Sequence, residues 1–469
     1  MHESPTAVEA RYERGNELRM DGRFAEAESE FRHVLAQHPS HRDATFSLAF
    51  MLREQGRTDA AAQVVSTWWR HVQSDADDSL RVIGFLAECF AHQSAYDVAT
   101  AALQRWPDDA RIAARAGDEA LALGRFHDAQ TFLRKALALD PNQSASWLRL
   151  SHCRRFTDSA DADIASFRNA ANDDRLTPLT RACAGFALGK ALDDIGDIEH
   201  AAAALRAANE RTRAWVTWDS VAWSSFVDQR LRERMAESSP PSTFEPVFVI
   251  GMPRTGTTLV STLLGGFDGV RDRGELNWIP AVYAQLRELD RLDDPQALRA
   301  CADLIQAHMR RDDAPARFYI DKNPLNFAYV DFIVAMFPRA RFMHCRRDVR
   351  DTALSIWSQQ FGHEALAFAY DFPSIVQVQK DHQRFMTRWR ERFAARIIDI
   401  EYEAVVSEPD AQTRRLGDFL GVARATDATD SQAVTTASVW QARQPVYARS
   451  VGRWKNYAPY LPELAALTD

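Results

Sequence analysis

One stretch in the second half of the chain combines residue types and spacing suited to holding phosphate. It reads Gly251-Met252-Pro253-Arg254-Thr255-Gly256-Thr257-Thr258, after the apolar run Val247–Ile250 and before a helical run from Leu259. A strand, a glycine-spaced loop and a helix N-terminus form an anion cradle, because free backbone N–H groups converge with the positive end of the helix dipole. Gly251 and Gly256 have the spacing of the GxxxxGK[ST] pattern, but Thr257 stands at the lysine position. That lysine would reach the β- and γ-phosphates of a nucleoside triphosphate. Its loss suits the loop to a single phosphate, with Arg254 supplying the cation.

Such a loop needs a sheet behind it, and the chain changes texture in the right place. Beyond Glu237-Ser238-Ser239-Pro240-Pro241-Ser242-Thr243 come short β-branched or aromatic runs at 247–250, 318–320, 341–345 and 397–400, separated by helix-like segments. Apolar strands alternating with helices predict a parallel sheet covered on both faces. Before the two prolines, the chain is rich in Ala, Leu and Arg with helical periodicity. The expected organisation is a helical domain over 1–237, a linker over 238–243 and an α/β domain over 244–469.

The helical part repeats. Gly15, Gly22, Phe24, Ala27 and Pro39 recur 102 residues later as Gly117, Gly124, Phe126, Ala129 and Pro141, and 102 is three times 34. Gly56 and Ala61 mark an intermediate copy, and Gly189, Gly196 and Ala201 a last one. This period resembles the tetratricopeptide repeat. About six units are expected, the third (near 78–110) and fifth (near 144–178) degenerate. Small residues would let two helices approach, with Phe24 and Phe126 filling the space beside them. Trp68 and Trp69 read as packing residues. The repeats either offer a groove to a protein or peptide, or support and dimerise the next domain; both readings stand.

With Pro253-Arg254-Thr255-Gly256-Thr257-Thr258, the chain resembles the sulfotransferases that use 3'-phosphoadenosine 5'-phosphosulfate, whose phosphosulfate loop reads PRSGTT or similar. The Pro-Arg lead-in points to the protein-tyrosine sulfotransferase branch. The resemblance implies a P-loop-like α/β fold with a central parallel sheet, and donor contacts from Arg254, Thr255, Gly256, Thr257 and Thr258. It also implies a 3'-phosphate site at Arg347 and Ser355, where arginine gives a bidentate fork and serine a hydroxyl donor. Asp348-Val349 replaces the family's usual Asn-Pro after that arginine. Tyr402 matches a tyrosine near the adenine, and Arg453 and Arg449 fall in the closing segment Tyr447–Trp454. The family's general base falls on Glu275, its charge-stabilising lysine on Lys322, and a hydrogen-bond donor to the phosphate on Ser438. His344, on a strand, reads as packed.

Composition sets limits. The 469 residues are 46% hydrophobic and 26% charged, with 57 basic against 65 acidic residues and a net charge of -8. That balance gives no footprint for nucleic acid or an anionic membrane. No window approaches a spanning helix, and the start lacks the regions of a signal peptide. Five cysteines without a CxxC pair read as reduced thiols of a cytoplasmic protein, and HExxH is absent, so no metal is expected. The expected function is sulfuryl transfer from 3'-phosphoadenosine 5'-phosphosulfate to a hydroxyl, tyrosine of a protein or peptide first. The rivals are a carbohydrate or small-molecule sulfotransferase, a kinase on the same loop, and a repeat scaffold with an inactive second domain.

Overall fold

Ala-rich amphipathic segments fold into antiparallel hairpins in the first half of the chain, as a computed structural model shows. The structure describes residues 5–72, 75–233, 235, 244–423 and 448–467. The expected linker 238–243 and Ser438 lie outside the described residues.

The first compact unit comprises residues 1–139 and 304–315. Its helices are α1 (Pro5–Met20), α2 (Phe24–Gln37), α3 (Arg42–Glu54), α4 (Thr58–His71), α5 (Ala76–Glu88), α6 (His92–Arg105), α7 (Ala110–Ala122) and α8 (Phe126–Leu139). They pair as four hairpins. Gly22, Gly56 and Gly124 take positive φ of 73° to 75° where one helix turns into the next, a conformation that other residues adopt only under strain.

Gly15 and Gly117 mark the close approaches. A Cβ on Gly15 would lie 2.6 Å from Phe31, and one on Gly117 would lie 2.6 Å from Leu133. The residues filling these spaces are therefore Phe31 and Leu133, not Phe24 and Phe126. Phe24, the first residue of α2, is 42% exposed, whereas Phe31, two turns further along the same side of the helix, is fully buried. Trp68 and Trp69 do pack, each donating its indole N–H, to the Ser40 carbonyl and the Ser79 hydroxyl respectively.

Residues 304–315 include the end of the helix Pro295–Arg310, far along the chain, yet they belong to this unit. The Asp312 carboxylate accepts the backbone N–H groups of Asp59 and Ala60 at 2.8 and 2.9 Å, capping α4. The Arg311 guanidinium lies 3.5 Å from the centre of the Phe90 ring.

The second unit comprises residues 140–303 and 316–469. It begins with helices α9 (Ser144–His152), α10 (Ala162–Ala171), α11 (Pro178–Ile195), α12 (Ile198–Arg213) and α13 (Ser220–Arg232); α11 and α12 pair as a hairpin, whereas α9 and α10 each pack against α11 rather than against each other. The sheet has strands β1 (Glu245–Gly251), β2 (Val270–Asp272), β3 (Phe318–Asp321), β4 (Arg341–Arg346) and β5 (Ile397–Glu401), all parallel in the order β2-β3-β1-β4-β5. Val247 to Ile250 are completely buried, as expected of a central strand covered on both faces.

The change from helices to strands therefore does not coincide with the division into compact units. Helices α9–α13 pack with the sheet because they are bonded to it. The Asn209 amide donates to the Trp357 carbonyl at 3.0 Å, and Trp223 donates to Asp381 at 2.9 Å. Arg230 on α13, fully buried, pairs with the buried Asp331 and with Glu233. Breaking such a pair strands a charge away from water, at a cost of about 3–5 kcal/mol. Among the described residues no helix is long and apolar enough to cross a membrane.

Substitutions at two helix-interior glycines are expected to act in opposite directions. Gly117→Val forces a side chain into Leu133 and is expected to cost about 1–3 kcal/mol. Gly84, where an added Cβ meets nothing within 4 Å, is expected to gain up to about 1 kcal/mol on substitution by Ala, from helix propensity alone. Urea unfolding of the two variants against wild type measures both.

Candidate active site

The centre of the sheet is where the chain reverses direction across it: β1 runs next to β3 on one side and β4 on the other. Open parallel sheets bind ligands outside the carboxyl ends of the strands at such a point. The register sets Gly251 opposite Cys345, so the loops after β1 and β4 leave the sheet side by side. A Cβ on Gly251 would lie 2.5 Å from the Cys345 carbonyl oxygen; no side chain fits there.

The loop after β1 leads into the helix α14 (Thr257–Gly265), with Gly256 as its N-cap at φ 93°. A Cβ on Gly256 would lie 2.6 Å from the Tyr402 ring. Arg254 itself has φ 69°, which costs a residue with a Cβ about 1–2 kcal/mol. Two contacts, one from the helix Val349–Trp357 and one from the loop after β4, hold it there. Arg254 Nε donates to the Ser355 hydroxyl at 3.2 Å, and Arg347 Nη1 donates to the Arg254 carbonyl at 3.1 Å. Arg347 also donates to the Ser450 carbonyl and lies 4.6 Å over the Tyr402 ring. Its Nε is buried with no partner among the described residues, and burial pushes the guanidinium below the usual arginine range.

These residues meet in one cavity of about 2160 Å³, lined by Arg254, Gly256, Thr257, Thr258, Glu275, Arg347, Ser355, Tyr402, Arg449 and Arg453. Two residues of the expected set stand elsewhere. The Thr255 hydroxyl turns into its own loop and donates to the Met252 carbonyl at 2.7 Å. Lys322, 2% exposed, lies behind Glu275 and reaches the cavity by an ion pair with that half-exposed carboxylate.

The Glu275–Lys322 pair is held from below by Asp321, the last residue of β3. Its carboxylate accepts the backbone N–H groups of Leu276 and Asn323, each at 3.1 Å, and the Asn326 amide at 2.9 Å. Full burial pushes this carboxyl up to about 7, against those hydrogen bonds and the Lys322 charge. Sequence reading passed over Asp321. Its one signal was its place at the end of a strand, immediately before Lys322.

Helices of the second unit that precede the sheet complete the cavity; the repeat spacing announced α11 and α12 as helices, but not their place at the cavity. Asp193, on α11, accepts from Arg453 Nε at 3.1 Å and from the Tyr457 hydroxyl at 2.7 Å. The expected phosphate cation Arg453 is thus engaged by a carboxylate. His152, on α9, also lines the cavity; desolvation and the charges of Lys190, Arg254 and Arg149 push it down to about 3. It is neutral at pH 7. His344 is buried as expected, with Nδ1 2.6 Å from Asp399 and Nε2 3.0 Å from His382. The segment 448–467 is tied to the helix Val349–Trp357 by Asp351, which accepts the backbone N–H groups of Gly452 and Trp454 at 2.6 and 2.8 Å.

The site thus joins a parallel sheet, a lysine-free glycine loop, the half-buried Arg347 beside that loop and a carboxylate–lysine pair at the mouth of the cavity. Residues 246–427 match the Sulfotransferase family, and residues 12–69 and 110–143 match tetratricopeptide repeats. The chain therefore carries a sulfotransferase-family domain behind tetratricopeptide repeats. An uncharacterized protein of Aquifex aeolicus is 25% identical over 95% of this chain and 68% of its own length. The protein-tyrosine sulfotransferase of Drosophila melanogaster is 26% identical over 38% of each chain, and protein-tyrosine sulfotransferase 2 of Gallus gallus is 25% identical over 38% of this chain and 51% of its own. This chain thus spans about two fifths to half the length of those two relatives. The sulfotransferase domain of a Synechococcus olefin synthase aligns over 50% of this chain and all of its own, with 17% identity and a TM-score of 0.36.

The burial of Asp321 makes stability depend on pH. Its folded value lies above the usual carboxylate value, so the folded protein holds a proton that the unfolded chain has released. Its contribution is therefore present below pH 4 and is lost as pH rises towards about 7. Wild type measured against Asp321→Asn, by urea unfolding from pH 4.5 to 8, is expected to lose relative stability up to pH 7 at no more than about 1.4 kcal/mol per pH unit, then level off. A flat difference would show that Asp321 stays ionised throughout.

Proposed function

We propose that the chain transfers a sulfuryl group from 3'-phosphoadenosine 5'-phosphosulfate to a hydroxyl, and that the acceptor is tyrosine in a protein or peptide. The observation that carries this reading is Arg347, a half-buried guanidinium whose Nε is buried and unbonded and which makes no ion pair with a described carboxylate, beside a phosphate loop with no lysine. A partly desolvated cation of this kind suits an anionic ligand. The two loops provide for two separate single phosphates, a pattern that fits a 3',5'-substituted adenosine better than a triphosphate. Tyr402, beside both Gly256 and Arg347, would lie along the adenosine.

Transfer is an in-line displacement governed by position and by charge. The acceptor oxygen attacks sulfur as the bond from sulfur to the bridging oxygen breaks, and the electron pair stays on that oxygen. Glu275 takes the acceptor proton. Lys322, bonded to Glu275 at rest, would move its hydrogen bond to the bridging oxygen as that atom becomes an anion, freeing the carboxylate for the proton. A phenol with its pKa near ~10 needs such a base at neutral pH. Similarity over part of the chain to protein-tyrosine sulfotransferases supports tyrosine, and repeats of this kind support recruitment of a protein or peptide partner.

Adenosine 3',5'-bisphosphate is expected to raise the melting temperature more than ATP at equal concentration, because only a ligand that binds the folded state shifts the equilibrium. An equal or larger shift with ATP would overturn the donor assignment.

Glu275→Gln is expected to lower turnover by ~10²–10⁴-fold while binding of adenosine 3',5'-bisphosphate stays nearly unchanged. The defect should shrink with acceptor acidity, so phenols with a pKa near ~7 should recover much of the rate. Steady-state rates over a series of substituted phenols test this; a mutant with full activity on tyrosine would remove Glu275 from the mechanism.

A further inference from the structure

The cavity that reaches Glu275 is also walled by a row of aromatic rings. The Trp218 and Trp223 ring centres are 5.5 Å apart, Trp223 and Phe226 are 5.5 Å apart, and Phe226 and Tyr329 are 6.0 Å apart. Phe368 meets Trp218 edge-on at 5.6 Å. All five line the same cavity as Glu275 and Thr257. Three of the five come from residues 218–226, at and just before the start of α13, outside the part of the chain that matches the sulfotransferase family.

This wall is held in place from behind. Trp223 donates its indole N–H to Asp381 at 2.9 Å, and Arg384 bridges Asp381 and Asp228 at 2.8 and 2.7 Å. One turn beyond Phe226, Arg230 anchors α13 to Asp331. Trp218 differs: its Nε1 is buried and has no hydrogen-bond partner among the described residues. Buried indole N–H groups usually find one.

We propose that this aromatic row is the acceptor subsite, and that it takes the aryl ring of a phenol with the hydroxyl directed to Glu275. The proposal rests on the sulfuryl-transfer reading and adds that residues preceding the sulfotransferase match select the acceptor. Rings spaced 5 to 6 Å apart, tilted or edge-on, offer a flat ring the contacts that aromatic groups prefer. A free phenol and a tyrosyl side chain present the same ring chemistry.

The test is isothermal titration of the full chain, as wild type, Trp218→Leu and Phe226→Leu, with 2-naphthol, N-acetyl-tyrosinamide and methyl glucoside, and with adenosine 3',5'-bisphosphate as a control. An aromatic contact contributes about 0.5–1.5 kcal/mol, so each variant is expected to weaken 2-naphthol by about 2–12-fold. Adenosine 3',5'-bisphosphate should bind all three proteins alike, showing that the fold and the phosphate loops are intact. N-acetyl-tyrosinamide binding as tightly as 2-naphthol would identify a tyrosyl source, and 2-naphthol alone a free phenol; both support the subsite. Unchanged 2-naphthol affinity in both variants, or methyl glucoside binding as tightly as 2-naphthol, would overturn it. Failure of adenosine 3',5'-bisphosphate to bind wild type would instead remove the donor reading, while the naphthol titrations would still decide the subsite.

Discussion

The parallel pairing of β1 with β4 is the constraint on which the site depends. With Gly251 opposite Cys345, both strands end at the same height and release their loops next to each other. Arg347 can then donate to the Arg254 carbonyl, and Arg254 to Ser355, across about a hundred residues of sequence. These bonds hold Arg254 in a left-handed conformation that it would otherwise leave. A slip of one residue would turn each strand's side chains to the opposite face and separate the loops.

A second requirement is met away from the sheet. Helices α11 to α13 are bonded to the α/β elements through Asn209, Arg230 and Trp223, and they bring Asp193 and the aromatic row to the cavity. Asp193 holds Arg453, and Arg206 pairs with Glu463 at 3.0 Å, so the closing segment 448–467 is fastened to helices that begin two hundred and more residues earlier. In this unit the last helices before the sheet are therefore part of the same body as the sheet.

The electrostatics follow from burial. Asp321 is fully buried and Arg347 half-buried, and desolvation disfavours the charged form of each. They differ in what surrounds them. Asp321 is satisfied by three donors and serves as a fixed post for the Glu275–Lys322 pair, whereas Arg347 keeps a buried Nε with no partner among the described residues.

The sequence by itself determined the features that depend on local spacing. The 34-residue period placed the hairpins, because Gly15 and Gly117 must meet a partner helix closely. The loop 251–256 announced an anion cradle, because its glycines and its threonine in place of lysine are read within eight residues. The resemblance to sulfotransferases pointed to Arg347, Ser355, Glu275 and Tyr402, which all line one cavity. Tertiary structure alone decided which side chains fill the hairpins, since Phe31 rather than Phe24 faces Gly15. It also decided that α9–α13 join the sheet, that Lys322 lies behind Glu275, and that Asp193, His152, Asp321 and Trp218 border or brace the cavity. Those placements rest on contacts between residues tens to hundreds of positions apart, which carry no periodicity and no motif; only the closed chain, with its buried groups paired, selects them.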